Sequence, residues 1–172
     1  MEEPGDNDKL FQSAQEKIGE IDYLGALTDL LQIESEYSLL YLEADLDFWK
    51  GFCYFQMEGY ADARECLARA HGEELFAEYD GEILPIRRIL PFQLGASLYI
   101  LGKEEECVSY LEEAIAEKVR DEYTLYSFLL LIPALTATGQ KEKARSHWKS
   151  AKELFGGTEM ESDIIGLAET LD

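Results

Sequence analysis

Apolar and polar positions along this chain recur with the period of a helix. In "GYADARECLARA" (59–70), Ala63, Leu67 and Ala70 fall at i, i+4 and i+7, one helical face, and Gly59 just ahead is a turn signal. Small residues on a packing face let a neighbouring helix come close. The stretch therefore reads as the second half of a helical hairpin. The pattern recurs at Cys107, Leu111 and Ala114 in "GKEEECVSYLEEA", at Ala144, Trp148 and Ala151 in "GQKEKARSHWKSA", and at Ala26, Leu30 and Ile33 in "IDYLGALTDLLQI". The anchors Ala26, Ala63, Cys107 and Ala144 stand 37, 44 and 37 residues apart, a period that signals stacked helical pairs sharing one core.

The periodicity predicts helices at 8–19 and 23–35, 43–57 and 60–71, 86–101 and 104–118, and 122–138 and 141–154. "FGGTEMESD" (155–163) is a break, after which Thr158 with Glu161 three residues on forms a capping-box signal for a last helix over 158–171. That helix is expected to cap the open end of the stack. The 44-residue interval holds about seven extra residues within "HGEELFAEYDGEILPIRRILPF" (71–92), expected as a loop or a lengthened helix. Asp80-Gly81 is a turn signal there, and Pro85 or Pro91 is a candidate start for the next helix.

The first halves of the hairpins carry a matching pattern. Gly51, Tyr54 and Tyr60 precede Ala63 by 12, 9 and 3 residues, and Gly95 and Leu98 precede Cys107 by 12 and 9. This resembles the tetratricopeptide repeat (TPR) family, in which a Gly, a large residue three on, a turn and a small residue stand at these offsets. The resemblance covers about residues 8–155 and is fullest in the second and third units. Ala14 replaces the Gly in the first unit and Ile132 in the fourth, where Pro133 follows, and the family's closing Pro is absent from all four. The resemblance implies an all-α fold: a right-handed superhelical array of about four TPR-like hairpins plus a C-terminal capping helix, with 1–172 as a single domain.

Composition supports a helical, packed chain. At 172 residues with 47% hydrophobic residues, it is long enough and apolar enough for a real core, which excludes overall disorder. The most apolar run, "TLYSFLLLIPALTATG" (124–139), is too short to span a bilayer and holds Pro133, so a buried helix is expected. "MEEPGDNDK" is acidic and lacks an apolar core, unlike a signal peptide. Cys53, Cys66 and Cys107 are odd in number and form no CxxC pair, which points to free thiols in a reducing, cytoplasmic setting.

The net charge is −21 and unevenly placed: residues 1–140 hold 29 acids and 10 bases, whereas 141–155 hold 5 bases and 2 acids. Such a surface disfavours nucleic acid and anionic membrane and favours protein or peptide partners of apolar or basic character.

Catalytic signatures are scarce. His71 and His147 belong to no HExxH motif ("HGEEL" lacks the second His), and no P-loop, GxGxxG or GxSxG is present. Each His is expected at the surface. Acid pairs such as Glu73/Glu74, Asp80/Glu82 and Glu104–Glu106 are what 36 acids produce by chance, and "EYDGEI" is only a fragment of a calcium loop. The expectation is a non-enzyme with no metal and no cofactor.

Aromatic residues are in surplus. Phe48, Phe52 and Phe55 lie at i, i+4 and i+7, with Trp49, Cys53 and Tyr54 as a second strip, although one packing face needs only one. Phe92 and Tyr99 share the register of Phe48 and Phe55, as do Phe11 and Ile18. In the TPR family this register lines a concave groove. The resemblance therefore implies a peptide-binding groove of Phe11, Ile18, Phe48, Phe52, Phe55, Phe92 and Tyr99. The family's carboxylate clamp of Lys, Arg and Asn is not matched: Phe11, Gln15, Phe48, Phe52, Phe92 and Ala96 stand there. An apolar groove with an acidic rim resembles the TPR chaperones of bacterial type III secretion, which hold apolar segments of translocator proteins. A secondary basic face combines Lys141, Arg145, Lys149 and Lys152, around Trp148. The function expected is an adaptor, scaffold or chaperone holding an apolar peptide or amphipathic helix, or alternatively a self-associating structural module.

Overall fold

The computed structural model describes residues 6–36, 43–73, 75, 78–79 and 82–171. Helices α1 (Asp6–Gly19), α2 (Tyr23–Glu36), α3 (Glu43–Gln56) and α4 (Tyr60–Ala70) are followed by strands β1 (Glu78–Tyr79) and β2 (Glu82–Ile83). Then come α5 (Ile86–Ile100), α6 (Glu104–Ala114), α7 (Glu122–Ala137), α8 (Lys141–Phe155) and α9 (Glu161–Gly166), with a 3-10 turn at Leu167–Leu171. The fold is an all-α array of helical hairpins. No helix among the described residues is long and apolar enough to cross a membrane.

All four hairpins close on one backbone motif. The N–H of Asp22, Gly59, Lys103 and Gln140 bonds the carbonyl five residues back (Lys17, Tyr54, Leu98 and Leu135). The N–H of the preceding residue bonds three back, from Ile21, Glu58, Gly102 and Gly139 to Ile18, Phe55, Tyr99 and Thr136. This is the Schellman motif, which requires a left-handed residue at the reversal. Gly102 and Gly139 supply it in the last two hairpins with φ of 71° and 77°, whereas Ile21 and Glu58 adopt φ of 64° and 63° in the first two. Ile21 is a β-branched side chain in that strained region, and it is 73% exposed.

The small anchors do what their spacing predicts. Ala26, Ala63, Cys107 and Ala144 are each fully buried, as are Ala14 and Ile132 on the opposing helices. A Cβ placed on Gly51 would stand 2.6 Å from Leu67 Cγ, and one on Gly95 would stand 2.8 Å from Leu111 Cγ. The missing side chain is the space the facing leucine fills.

The chain divides into two compact units, Met1–Ile86 and Arg87–Asp172. In the first unit α1 packs on α2, α2 on α3 and α3 on α4. Its core includes Leu30, Ile33, Phe48, Trp49 and Leu67. In the second, α7 packs against both α6 and α8, and α9 with the 3-10 turn lies on α7 and α8. Leu111, Leu131, Ile132, Leu135 and Phe155 are buried there.

Three local expectations need correction. The extra residues after α4 include a two-residue antiparallel ladder, Glu78 opposite Ile83 and Tyr79 opposite Glu82, in place of a plain loop or longer helix. Glu74, Asp80 and Gly81 lie outside the described residues. Helix α6 stops at Ala114, short of 118, because Lys118 turns left-handed (φ 51°) with its N–H on the Ile115 carbonyl, which a continuing helix does not allow. The last helix begins at Glu161 without a capping box: Thr158 Oγ1 donates to the Phe155 carbonyl and the Glu161 carboxylate accepts from the Gly157 N–H, so both side chains hold the preceding turn. Pro85 precedes α5, while Pro91 sits inside it.

Replacing Ile21 by Gly is expected to raise stability by about 0.5–1 kcal/mol, the left-handed penalty less the added entropy of an unfolded Gly. In a thermal scan that is a Tm higher by about 1–4 °C. Gly51→Ala is expected to lower stability by about 1–2 kcal/mol in urea unfolding, because overpacking against Leu67 outweighs the better helix propensity of Ala. An unchanged midpoint would show that this helix pair opens at no cost.

Candidate functional site

In the first unit, α3 carries the aromatic layer. Phe52 is half-buried, with ring centroids 6.3 Å from Tyr23, 5.8 Å from Trp49 and 6.5 Å from Phe48. Phe55, also half-buried, meets Tyr60 edge-on at 5.6 Å. Phe11 on α1 is half-buried too. Phe48 and Ile18 are different: Phe48 is fully buried and Ile18 is 8% exposed, so both lie in the core and offer no open surface. The reason is that α3 packs on α2 and α4 at once and must present two apolar strips, so that Phe48 is spent on packing.

In the second unit, Phe92 on α5 is half-buried with its ring 5.9 Å from Tyr123 and 6.3 Å from Tyr126, both on α7. Tyr126 is 48% exposed. Tyr99 is half-buried near the end of α5. Sequence reasoning missed Tyr23, Tyr123 and Tyr126 because they sit outside the register it followed. No periodic signal marks them, because their place is set by Phe52 and Phe92 approaching from other helices.

The secondary basic face is partly used within its own unit. Arg145 bonds Glu142 at 3.1 Å and reaches the Leu171 carbonyl at 3.5 Å, and Lys152 lies 5.3 Å over the Trp148 ring. Trp148 Nε1 donates to the Ile164 carbonyl, tying α8 to α9. Lys141 and Lys149 are exposed. His147, expected at the surface, is half-buried with Nε2 2.8 Å from Glu112 Oε1, and Lys143 holds the other oxygen at 2.8 Å. Burial pushes the Glu112 carboxyl up, but these two bonds outweigh it and hold it below the usual carboxylate range.

A polar cluster crosses the first unit. Lys50, only 3% exposed, bonds Glu34 at 2.6 Å and Asp47 at 2.9 Å, while Arg69 clasps Asp47 with two bonds of 2.8 Å. Burial works against both charges. The bonds to Glu34 and Asp47 nonetheless raise Lys50 above an ordinary lysine, and those from Arg69 and Lys50 bring Asp47 below an ordinary aspartate.

The thiols are unsuited to nucleophilic work. Burial pushes Cys53 up to about 12 and Cys107 up to about 11, and raises Cys66, so all three stay protonated at neutral pH. Among the described residues no group of three or more His, Cys, Asp or Glu side chains is placed to hold a metal ion.

No family model matches the chain, and no curated protein does. Among solved structures, a MamA RS-1 ArsTM double mutant aligns with a TM-score of 0.65 at 17% identity, covering 98% of both chains. A crystal structure of MamA aligns with a TM-score of 0.59 at 13% identity over 99% of this chain and 94% of that one. The chain therefore has a TPR-type helical-repeat fold. At such identities the likeness extends to the fold alone.

Asp47 ionises more readily folded than unfolded. It contributes stability at pH values above the ordinary aspartate pKa, and that contribution is lost as acid carries the pH down through its lowered folded value. Asp47→Asn is therefore expected to cost about 1–3 kcal/mol at pH 7, since Lys50 and Arg69 lose a charged partner. It is also expected to flatten the fall in Tm between about pH 5 and pH 3. Wild-type and variant curves that run parallel through that window would remove Asp47 from the acid response.

Proposed function

We propose that this protein is a non-catalytic interaction module, an adaptor, scaffold or chaperone, that holds an apolar peptide or amphipathic helix on its aromatic faces. The observation that carries this reading is that Phe52, Phe55 and Phe92 stay half-buried beside Tyr23, Tyr60, Tyr123 and Tyr126, although the helices that bear them already have full packing faces. Half-open aromatic clusters supply most of the energy at many protein interfaces. Helical repeats present such surfaces to extended or helical ligands. With a net charge of −21, the favoured partner is apolar or basic. Three free buried cysteines fit a reducing compartment such as the cytoplasm.

Self-association is a second reading, favoured by one observation: Leu24 (67% exposed) and Leu31 (42% exposed) lie two turns apart on the open face of α2, with Ile21 beside them. Sedimentation of the wild type and of Leu24→Glu separates the two. Concentration-dependent association that the variant abolishes would support self-assembly.

The aromatic reading is tested by quantitative affinity capture from the native cell with wild type, Phe52→Ala and Tyr126→Ala. Loss of an aromatic anchor commonly costs about 2 kcal/mol, or roughly thirtyfold in affinity. Each variant is expected to lose its specific partners while keeping its helical circular dichroism. Because Phe52 touches three rings, its variant is expected to melt a few degrees lower, at about 1–2 kcal/mol; Tyr126→Ala is expected to melt almost as the wild type does. Unchanged capture by both variants would remove the aromatic faces from partner binding.

A further inference from the structure

The second unit contains a half-open cavity of about 360 Å³ whose lining includes Ile115, Lys118, Arg120, Phe128, Glu153 and Leu154. Its floor is apolar: Phe128 and Ile115 are 2% and 6% exposed, and Leu154 is a half-buried wall on α8. Its rim comes from the turn after α6, where left-handed Lys118 reverses the chain and leaves Lys118 and Arg120 on the same cavity.

The rim is basic. Many other bases of the chain are tied to acids: Lys17 to Asp29, Lys50 to Glu34 and Asp47, Arg69 to Asp47, Arg88 to Glu117 and Asp121, and Lys143 to Glu112. Lys118 and Arg120 hold no carboxylate among the described residues, in a chain with 36 acids. Lys149, likewise exposed and without a carboxylate among the described residues, lies one turn before Glu153 on α8. Glu153 is the cavity's own opposing charge.

We propose that this cavity docks an acidic amphipathic peptide segment, which places one apolar side chain on Ile115, Phe128 and Leu154 and sets flanking carboxylates against Lys118 and Arg120. The volume is at the small end of ligand pockets, about 300–1,000 Å³, which suits a side-chain anchor better than a large cofactor. The chain's net negative charge does not prevent this. At physiological salt the Debye length is about 8 Å, so the rim charges act locally while distant acids are screened. The site uses none of the aromatic-face residues, so the two readings stand or fall separately.

The probe is a fluorescein-labelled peptide with a Phe-Leu pair flanked on each side by two glutamates, followed by anisotropy at 50 and 300 mM NaCl. Saturable binding that weakens with salt is expected. It should be lost when Phe-Leu becomes Ser-Ser and fall about tenfold or more in Lys118→Glu/Arg120→Glu. Those side chains are exposed, so the double variant is expected to keep its wild-type circular dichroism and Tm. Glu153→Gln is expected to bind about two- to fivefold tighter, a gain that unfolding does not mimic. Absence of saturable binding, or binding indifferent to the double variant, overturns the proposal. So does saturable binding of dodecanoate without the peptide, which assigns the cavity to a free amphiphilic acid. Self-association that the double variant abolishes overturns it in favour of a second copy of the chain.

Discussion

The close approach of paired helices at a missing side chain is the constraint on which the rest of this structure depends. Gly51 and Gly95 leave the volume that Leu67 and Leu111 occupy. The two members of each pair are 16 residues apart, so the turn between helices must be short and must reverse sharply. The repeated Schellman bonds are the backbone's solution to that demand. Ala14 and Leu30 keep a reduced version of the same pair in the first hairpin. In the fourth hairpin both positions are large, Ile132 and Trp148, and the tryptophan turns its indole N–H to the Ile164 carbonyl. The exception to the packing rule thus becomes the fastening for the terminal helix.

Charge follows from the same geometry. Once helices are drawn close, a base on one helix can reach an acid on another, as Lys17 does to Asp29, Lys50 to Glu34 and Lys143 to Glu112. An ion pair with a buried partner contributes little net stability, but an uncompensated charge left by a mispacked helix is costly. Such pairs penalise wrong registers more than they reward the right one.

The helices were largely legible in the amino-acid sequence because steric exclusion writes itself as small residues at fixed offsets, and Ala26, Ala63, Cys107 and Ala144 all proved fully buried. The aromatic positions were less legible. Periodicity tells that α3 is apolar on two sides but not how many neighbours it has, and with α2 and α4 both against it Phe48 disappears into the core. Tyr123 and Tyr126 acquire meaning only through the approach of Phe92 from another helix. The cavity beside Lys118 depends on where α6 ends, and that was set by a left-handed lysine no composition rule points to.

The two tryptophans of this chain fall one in each unit and in unlike surroundings. Trp49 is 2% exposed among phenylalanine rings, whereas Trp148 is half-buried, with a lysine ammonium above its ring and its N–H on a backbone carbonyl. Each unit therefore carries its own intrinsic fluorophore, one in an apolar medium and one in a polar, hydrogen-bonded one. Emission from single-tryptophan versions reads the melting of each half separately, so whether the array unfolds as one cooperative body becomes visible without any attached label.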